Sequence, residues 1–468
     1  MRSFLKSVLS NVISIAGVAL TTATGLLIVT MIVLESLGFV LNPYIGVFIF
    51  MVLPGVFALG LILIPVGILL HRRRLRSLTP EEQELDLFPI INLNVNRTRY
   101  VAAIVLVLTM VNIVIISAAT VQGIHTMDQP EFCGSCHSVM NPEFTTYKNS
   151  PHARVACVTC HIGPGADWFV KAKISGSWQL VATMLDLYPR PIPTPVKNLR
   201  PARDTCEQCH WPQKFTGDRL KLITSYKDDE ANTELTTALL LRVGGNQGRV
   251  SRGIHWHVDP RNQIRYLANE RRDKIFDVEL TQEDGSKKLF LSSERPETDT
   301  ETVWRVMDCV DCHNRPTHIY RLPEREVFDA IKGEKISQSL PFIAREGIRT
   351  LKTDYPSAEE ARAKISADID GFYKQNYPAL AASQAEQITK AGTTLGDLWA
   401  RNVFPSMKIT WGTYASNIGH EHAPGCFRCH DEEHVTAEKE TISQDCDTCH
   451  SLLAQEEENP QIVQTLKP

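Results

Sequence analysis

Cys133-Gly134-Ser135-Cys136-His137 is the stretch whose reading decides how this chain is built. The same C-x-x-C-H pattern returns at Cys157–His161, Cys206–His210, Cys309–His313, Cys426–His430 and Cys446–His450. The six copies use all twelve cysteines: Cys133, Cys136, Cys157, Cys160, Cys206, Cys209, Cys309, Cys312, Cys426, Cys429, Cys446 and Cys449. None is left for a disulfide. This is the attachment pattern of c-type haem, in which two thiols add to the porphyrin vinyl groups and the next histidine reaches the iron from one face. Zinc also uses C-x-x-C, but it needs two such pairs on one ion and no histidine directly after the second cysteine. A redox dithiol normally occurs once, in a thioredoxin-like setting. The sequence therefore implies six covalent haems, with His137, His161, His210, His313, His430 and His450 as proximal iron ligands.

Outward from the motifs, the charge pattern predicts a membrane anchor. The 468 residues are enough for two or three domains, and a net charge of −4 gives no signal for nucleic acid. Between Lys6 and Arg72 the only formal charge is Glu35, and between Arg99 and Asp128 there is none. Three apolar runs, Val8–Leu34, Tyr44–Leu70 (with Pro54 and Pro65 inside) and Tyr100–Gly123, are each long enough to span a bilayer of about 20 helical residues. The basic cluster His71-Arg72-Arg73-Arg74-Leu75-Arg76 marks a cytoplasmic loop over 71–99 by the positive-inside bias. Three spans from a cytoplasmic N-terminus leave everything after Gly123 outside, in the compartment where haem is attached. Bacterial inner membrane and periplasm are the expected locations.

The expected fold is a membrane-anchored multihaem cytochrome c. It is mainly α, with sparse secondary structure around the haems, three transmembrane helices and a small β insertion. The anchor covers 1–123, a tetrahaem core 124–322, a helical spacer 323–406 and a C-terminal dihaem module 407–468. The proline-rich run from Leu180 to Pro201 favours an extended strap. Alternation over Leu220–Tyr226, Leu239–Val243, Ile264–Leu267, Ile275–Leu280 and Lys288–Leu291 predicts strands within the insertion 216–300, with Asp284-Gly285 in a hairpin connection. Gly244, Gly245 and Gly248 do not make a dinucleotide fingerprint and read as a loop. Ser357 with Glu360 and Ser383 with Glu386 are candidate capping boxes. Ala361, Ile365, Ile369, Phe372 and Tyr373 fall on one helical face.

Fifteen histidines include nine outside the motifs. His71 lies among the cytoplasmic arginines, so eight remain for the second faces of six irons, close to full bis-histidine ligation. His152, His318 and His434 are the first candidates; His257 is preferred over His255, and His422 over His420. Met140, three residues after His137, is a candidate thioether ligand for the first haem, which would raise its potential.

C-G-S-C-H-S-V-M-N-P-E-F from Cys133, followed by Tyr147, Ser150-Pro151-His152 and the motif at Cys157, resembles the NapC/NirT/NrfH family of membrane-anchored quinol dehydrogenases. Cys309-Val-Asp-Cys-His313-Asn-Arg-Pro-Thr-His318-Ile-Tyr-Arg-Leu-Pro323 is similar to that family's fourth haem motif. The resemblance covers about residues 100–215 and 303–323. It implies that His152 serves the fourth haem, His318 the second, and His255 or His257 the third. It also implies quinol oxidation beside the first haem, with Lys171 or Lys173 near the quinol. The aspartate that follows this lysine in the nitrite-reductase branch has no counterpart, since Trp178–Leu180 stand there; Asp167 and His125 become the candidate proton acceptors. Three spans and extra modules look more like the enlarged inner-membrane cytochromes of metal-respiring bacteria.

The expected activity is thus that of a quinol:cytochrome c-type oxidoreductase. It would oxidise membrane quinol, with menaquinol as the expected substrate, and pass electrons through six haems to periplasmic c-type cytochromes. The bilayer is its other partner, and homo- or hetero-oligomers are compatible with the sequence. Asp167-Trp168-Phe169-Val170-Lys171-Ala172-Lys173 mixes aromatics and lysines as a membrane-interface segment does. From Asp431 to Glu458 ten acidic residues face the single Lys439, a surface suited to a lysine-rich cytochrome. Two other readings differ in kind. An anchor and relay subunit of a larger complex would have no quinol site of its own. A terminal reductase needs an open iron position, and six regular motifs with eight spare histidines argue against it.

Overall fold

The computed structural model describes residues 11–36, 52–75, 94–135, 137–163, 166–196, 199–211, 215, 217–247, 250–294, 296 and 301–465. The chain divides into two compact units, Met1–Ser135 and Cys136–Pro468.

In the first unit three long helices follow from uninterrupted apolar sequence: α1 (Val12–Ser36), α2 (Leu53–Leu75) and α3 (Asn96–Asp128). Each contains a stretch long and apolar enough to cross a membrane: Val12–Met31, Leu53–His71 and Leu106–Asp128. The parts of the expected spans at 8–10 and 44–51 lie outside the described residues. Pro54 sits in the first turn of α2, where its missing N–H is not needed, while Pro65 is interior. Small residues let α1 and α2 approach closely: a Cβ on Gly60 would lie 2.9 Å from the backbone nitrogen of Thr21. Ser14 Oγ donates to the carbonyl of Ile64 at 3.0 Å. Such contacts matter in lipid, where apolar side chains gain little by leaving their solvent. Ile28, Leu53, Phe57 and Ala119 form the buried cluster of the three helices. Their outer faces remain apolar, as with Leu26 at 72 % and Leu106 at 66 % exposed. A helix apolar all round suits a bilayer, not water.

The second unit holds α4 (His137–Lys148) and α5 (Ala166–Met184), then nine strands: β1 (Arg219–Tyr226), β2 (Glu234–Leu241), β3 (Gly245–Gln247), β4 (Val250–Arg252), β5 (Gln263–Asn269), β6 (Ile275–Thr281), β7 (Lys287–Leu291), β8 (Thr302–Val306) and β9 (His450–Glu457). They form three antiparallel sheets ordered β1-β2-β9, β3-β4 and β7-β6-β5-β8. In β5, Ile264, Tyr266 and Ala268 point inward while Arg265 points out, the period-two pattern of a strand with one buried face. The β6–β7 hairpin turns at Gly285, whose φ of 81° a side chain would resist.

Two pairings tie together segments that the sequence assigns to different modules. Leu240 on β2 is in register with Ser451 on β9, and Leu291 bridges Val435. The C-terminal motifs are therefore stitched onto the β insertion by backbone hydrogen bonds. The extended strap begins later than expected, because α5 continues to Met184. Beyond it Tyr188 and Ile192 pack on a cluster of Val139, Phe404, Met407, Ile409 and Tyr414.

Four main helices follow: α6 (Pro323–Lys332), α7 (Ile343–Leu351), α8 (Ala358–Asn376) and α9 (Ala385–Ala400). Ser357 caps α8, its side chain accepting from the Glu360 N–H at 3.1 Å. The second expected cap does not form. Ser383 ends a short helix and donates back to the carbonyl of Leu380 at 3.3 Å, and Gln384 stands at the N-cap of α9 without a side-chain bond. Ala361, Ile365, Ile369 and Tyr373 on α8 are fully buried against Leu395 and Trp399 of α9. Each large side chain buried in this way contributes roughly 1.5–3 kcal/mol. Tyr226 of β1 joins the same core.

Candidate haem-binding sites

The second to sixth motifs lie on or directly after single turns. Cys157–His161, Ala202–Cys206 and Cys309–Cys312 are one-turn helices, and Gly425–Arg428 and Cys446–Thr448 are 3₁₀ turns. What fixes them is polar. Asp308 accepts the Cys309 N–H on Oδ1 at 2.6 Å, and the N–H groups of Ala202 and Arg203 on Oδ2 at 2.8 and 3.3 Å. One carboxylate therefore caps the turns of both the third and the fourth motif, where orphan donors and helix dipoles favour negative charge. Asp311, inside the fourth motif, returns the bond by accepting the Asp308 N–H at 2.7 Å and also accepts from Tyr266 Oη. Arg428, inside the fifth motif, donates to the carbonyls of Asp311 at 2.6 Å and Arg272 at 2.7 Å.

Five motif histidines each face a histidine from outside the motifs. Ring centres are 6.3 Å apart for His161 and His318, 6.0 Å for His210 and His152, and 6.4 Å for His313 and His255. They are 5.7 Å apart for His430 and His257, and 6.2 Å for His450 and His420. An iron held about 2 Å from one nitrogen of each of two imidazoles puts the ring centres about 6 Å apart. The spacing fits a haem iron between every pair.

The outer nitrogens support the same reading. Nδ1 of His152 donates to the carbonyl of Pro316 at 3.0 Å, and that of His318 to the carbonyl of Glu143 at 2.9 Å. Nδ1 of His255 donates to Val243 O at 3.2 Å, and that of His257 to Ile254 O at 2.8 Å. A carbonyl can only accept, so the proton is on Nδ1 and the lone pair on Nε2, the arrangement of an iron ligand with an oriented outer shell. Burial also pushes His255 and His257 below the ordinary histidine range, which favours the neutral, ligating form.

All eleven described cysteines are free of disulfides. Burial pushes the Cys312 thiol up to about 11 and that of Cys429 to about 12. Among the described residues, no group of three or more His, Cys, Asp or Glu could hold a bare metal ion.

Several expected ligands are placed differently. The sixth motif faces His420, whose ring stacks on Phe427 at 4.2 Å; His422 instead lies exposed, 3.3 Å from the Glu421 carboxylate. His434 is 1 % exposed, with Nδ1 held by the Asp431 carboxylate at 2.9 Å and its buried Nε2 without a hydrogen-bond partner, as a ligand nitrogen would be, although no described motif histidine faces it. His152 stands opposite the third motif, not the fourth, because the Pro316 carbonyl turns it toward His210. His255 and His257 both face motif histidines, of the fourth and fifth motifs respectively, where one ligand for the third was expected. Nothing in a linear sequence distinguishes His420 from His422 or orders these partners; the pairs form across as many as 173 residues, from His257 to His430.

At the first motif Cys136 and the side chain of His137 lie outside the described residues. Met140 packs on the cluster of Phe404, Met407 and Tyr414. His125 lies exposed on α3 in the first unit. In the second unit Lys171 Nζ lies 4.7 Å above the Trp168 ring, while the Asp167 side chain is outside the described residues. Lys171 leads a row on α5 that continues with Ile174, Trp178 and Val181 at helical spacing and with Leu185 just beyond. These apolar side chains are exposed, Ile174 at 68 % and Trp178 at 63 %. Lys173 lies off that row.

The chain is similar to known proteins in two ways. A family model described as the NapC/NirT cytochrome c family, N-terminal region, matches residues 95–191. The cytochrome c-type protein ImcH of Geobacter sulfurreducens is 41 % identical over 455 residues, covering 96 % of this chain and 89 % of that protein. The cytochrome c-type protein NrfH of Wolinella succinogenes is 32 % identical over 84 residues, covering 17 % of this chain and 47 % of that one. The cytochrome c nitrite reductase subunit NrfH of Nitratidesulfovibrio vulgaris is 43 % identical over 61 residues, 13 % of this chain and 38 % of that subunit. No solved structure matches. With near-full-length similarity to one such protein and haem motifs throughout, the chain belongs to the NapC/NirT family of membrane-anchored c-type cytochromes.

Proposed function

We propose that this protein is a quinol dehydrogenase of the bacterial inner membrane. It would take electrons from menaquinol and deliver them, through six covalent c-type haems, to small periplasmic cytochromes. The N-terminus and the 71–99 loop would be cytoplasmic, and all residues after the third span periplasmic. The haems, when bound, supply one-electron carriers. The chain's own residues bind and orient them. The twelve motif cysteines form the thioethers and His137, His161, His210, His313, His430 and His450 are the proximal ligands. His318, His152, His255, His257 and His420 are the distal ligands of the second to sixth haems in order. The observation that carries this reading is the series of five facing histidine pairs at 5.7–6.4 Å.

At the receiving end, the exposed row Ile174, Trp178, Val181 and Leu185 would lie on the bilayer surface, where a lipid-soluble quinol is reached. Lys171 heads that row and is the group best placed to bind a quinol oxygen; Lys173, off the row, is the weaker candidate. At the delivering end the acidic C-terminal surface is partly neutralised within the chain. Lys288 pairs with Glu440 at 2.6 Å and Lys227 with Glu458 at 2.5 Å. Glu432, Glu438, Asp445 and Asp447 stay exposed for a basic partner.

The test is reduction of the purified full-length protein by a menaquinol analogue. The wild type is expected to be reduced, with Lys171→Ala at least about tenfold slower and Lys173→Ala nearly unchanged. Failure of the wild type to accept electrons would favour an anchor and relay subunit without its own quinol site. Transfer to small basic cytochromes should fall as salt rises through the range where the Debye length shrinks from about 30 to 10 Å.

A further inference from the structure

We infer that the single turn Ile254–Val258 ligates two different irons, those of the fourth and fifth haems, and so joins the tetrahaem core to the C-terminal pair. This deepens the proposed function and rests on its haem assignment. His255 and His257 are two residues apart on one 3₁₀ turn, a rise of about 4 Å along its axis. Their rings nevertheless meet different partners. His255 faces His313 with the ring planes 7° apart, and His257 faces His430 with the planes 72° apart. Each Nδ1 is held by its own carbonyl, Val243 for His255 and Ile254 for His257, so each Nε2 is independently directed.

The surrounding chain fixes this turn unusually well for so short an element. Gly253 precedes it at a φ of 80°, and a Cβ there would lie 2.4 Å from the carbonyl oxygen of Arg242. That same carbonyl accepts the Ile254 N–H at 2.8 Å, while the Arg242 N–H donates to Cys449 O, in the sixth motif, at 2.9 Å. At the other end Arg203 Nη2, beside the third motif, donates to Val258 O at 2.7 Å. Trp256, between the two histidines, packs in a cluster with Cys429 of the fifth motif. Motifs three to six are thus gathered around one turn, with Asp308 joining three to four and Arg428 joining four to five. This predicts a haem order in space that follows the order in sequence from the third to the fifth.

The plane angles give each site its own signature. Near-parallel imidazoles split the two iron d orbitals that mix with the ring π systems, which gives a rhombic low-spin spectrum. Near-perpendicular imidazoles leave them almost degenerate, which gives a large-gmax signal. Electron paramagnetic resonance of the oxidised full-length protein should therefore lose one rhombic low-spin haem in His255→Ala and one large-gmax haem in His257→Ala. The double variant should lose both, with all six haems still attached by mass. Should either variant lose its haem or misfold, His257→Met keeps a ligand; it should stay low-spin while one haem moves to higher potential. If the double variant loses only one bis-histidine haem, or both single variants lose the same signal, the two histidines serve one iron and the inference is overturned. A wild type with no bis-histidine haem would instead overturn the haem assignment on which it rests.

Discussion

Ile365, Ile369, Leu395 and Trp399 in the helical segment are each at most 1 % exposed, whereas every residue of the turns Cys157–His161, Ile254–Val258 and Cys446–Thr448 is only half-buried or exposed. One region is held by apolar burial along 16- and 19-residue helices. The other is held by carboxylate caps, arginine-to-carbonyl bonds and histidine pairs on elements too short to be stable alone. The difference explains how the chain can devote long stretches to cofactor ligands. A conventional helical core supplies stability beside them, sharing Tyr226 with β1. The motif turns in turn depend on covalent cofactor and polar closure for their order.

The largest expected effect separates the two directly. Replacing Cys309 and Cys312 with serine should abolish amide-exchange protection across 309–318 and weaken it across 202–210, where Asp308 ties the third motif to the fourth. Protection across Ile343–Ala400 should persist. Equal loss in both regions would mean that the helical segment has no independent core. Next in size, Trp399→Ala should cost about 3–5 kcal/mol in denaturant unfolding of the helices, with the optical spectrum of the haems unchanged. Asp308→Ala removes caps from two turns and should cost about 2 kcal/mol in all, shifting the spectra of the third and fourth haems together. At the small end, Ser357→Ala should cost about 1 kcal/mol, whereas Ser383→Ala should cost close to nothing, since Ser383 caps no helix.

What could be read from the sequence follows the same division. Motif cysteines and histidines are legible because thioether attachment requires them at fixed, short spacing. Membrane spans are legible because a bilayer requires length and apolarity; the strands at Ile264–Leu267 and Ile275–Leu280 are legible because alternation marks one buried face. The facing histidines are not, because His152 reaches His210, and His257 reaches His430, only through tertiary structure. The pairing of β2 with β9 escaped for the same reason: the strand grows directly out of the last motif at His450, where the sequence signal is the haem and not the alternation. Ser383 shows a local signal losing to context, since Pro378 starts a short helix that ends at Ser383 and leaves Gln384 to start the next one.

The most direct test of the account is the number of haem equivalents that a menaquinol analogue reduces in the purified full-length protein. They would be counted on the α-band against complete reduction by dithionite. Six equivalents are expected, filled in one connected series. Reduction that stops at four, with the two remaining haems titrating at potentials above that of the donor, would show that the C-terminal pair is not connected through the Ile254–Val258 turn, and no reduction at all would contradict quinol as the electron source.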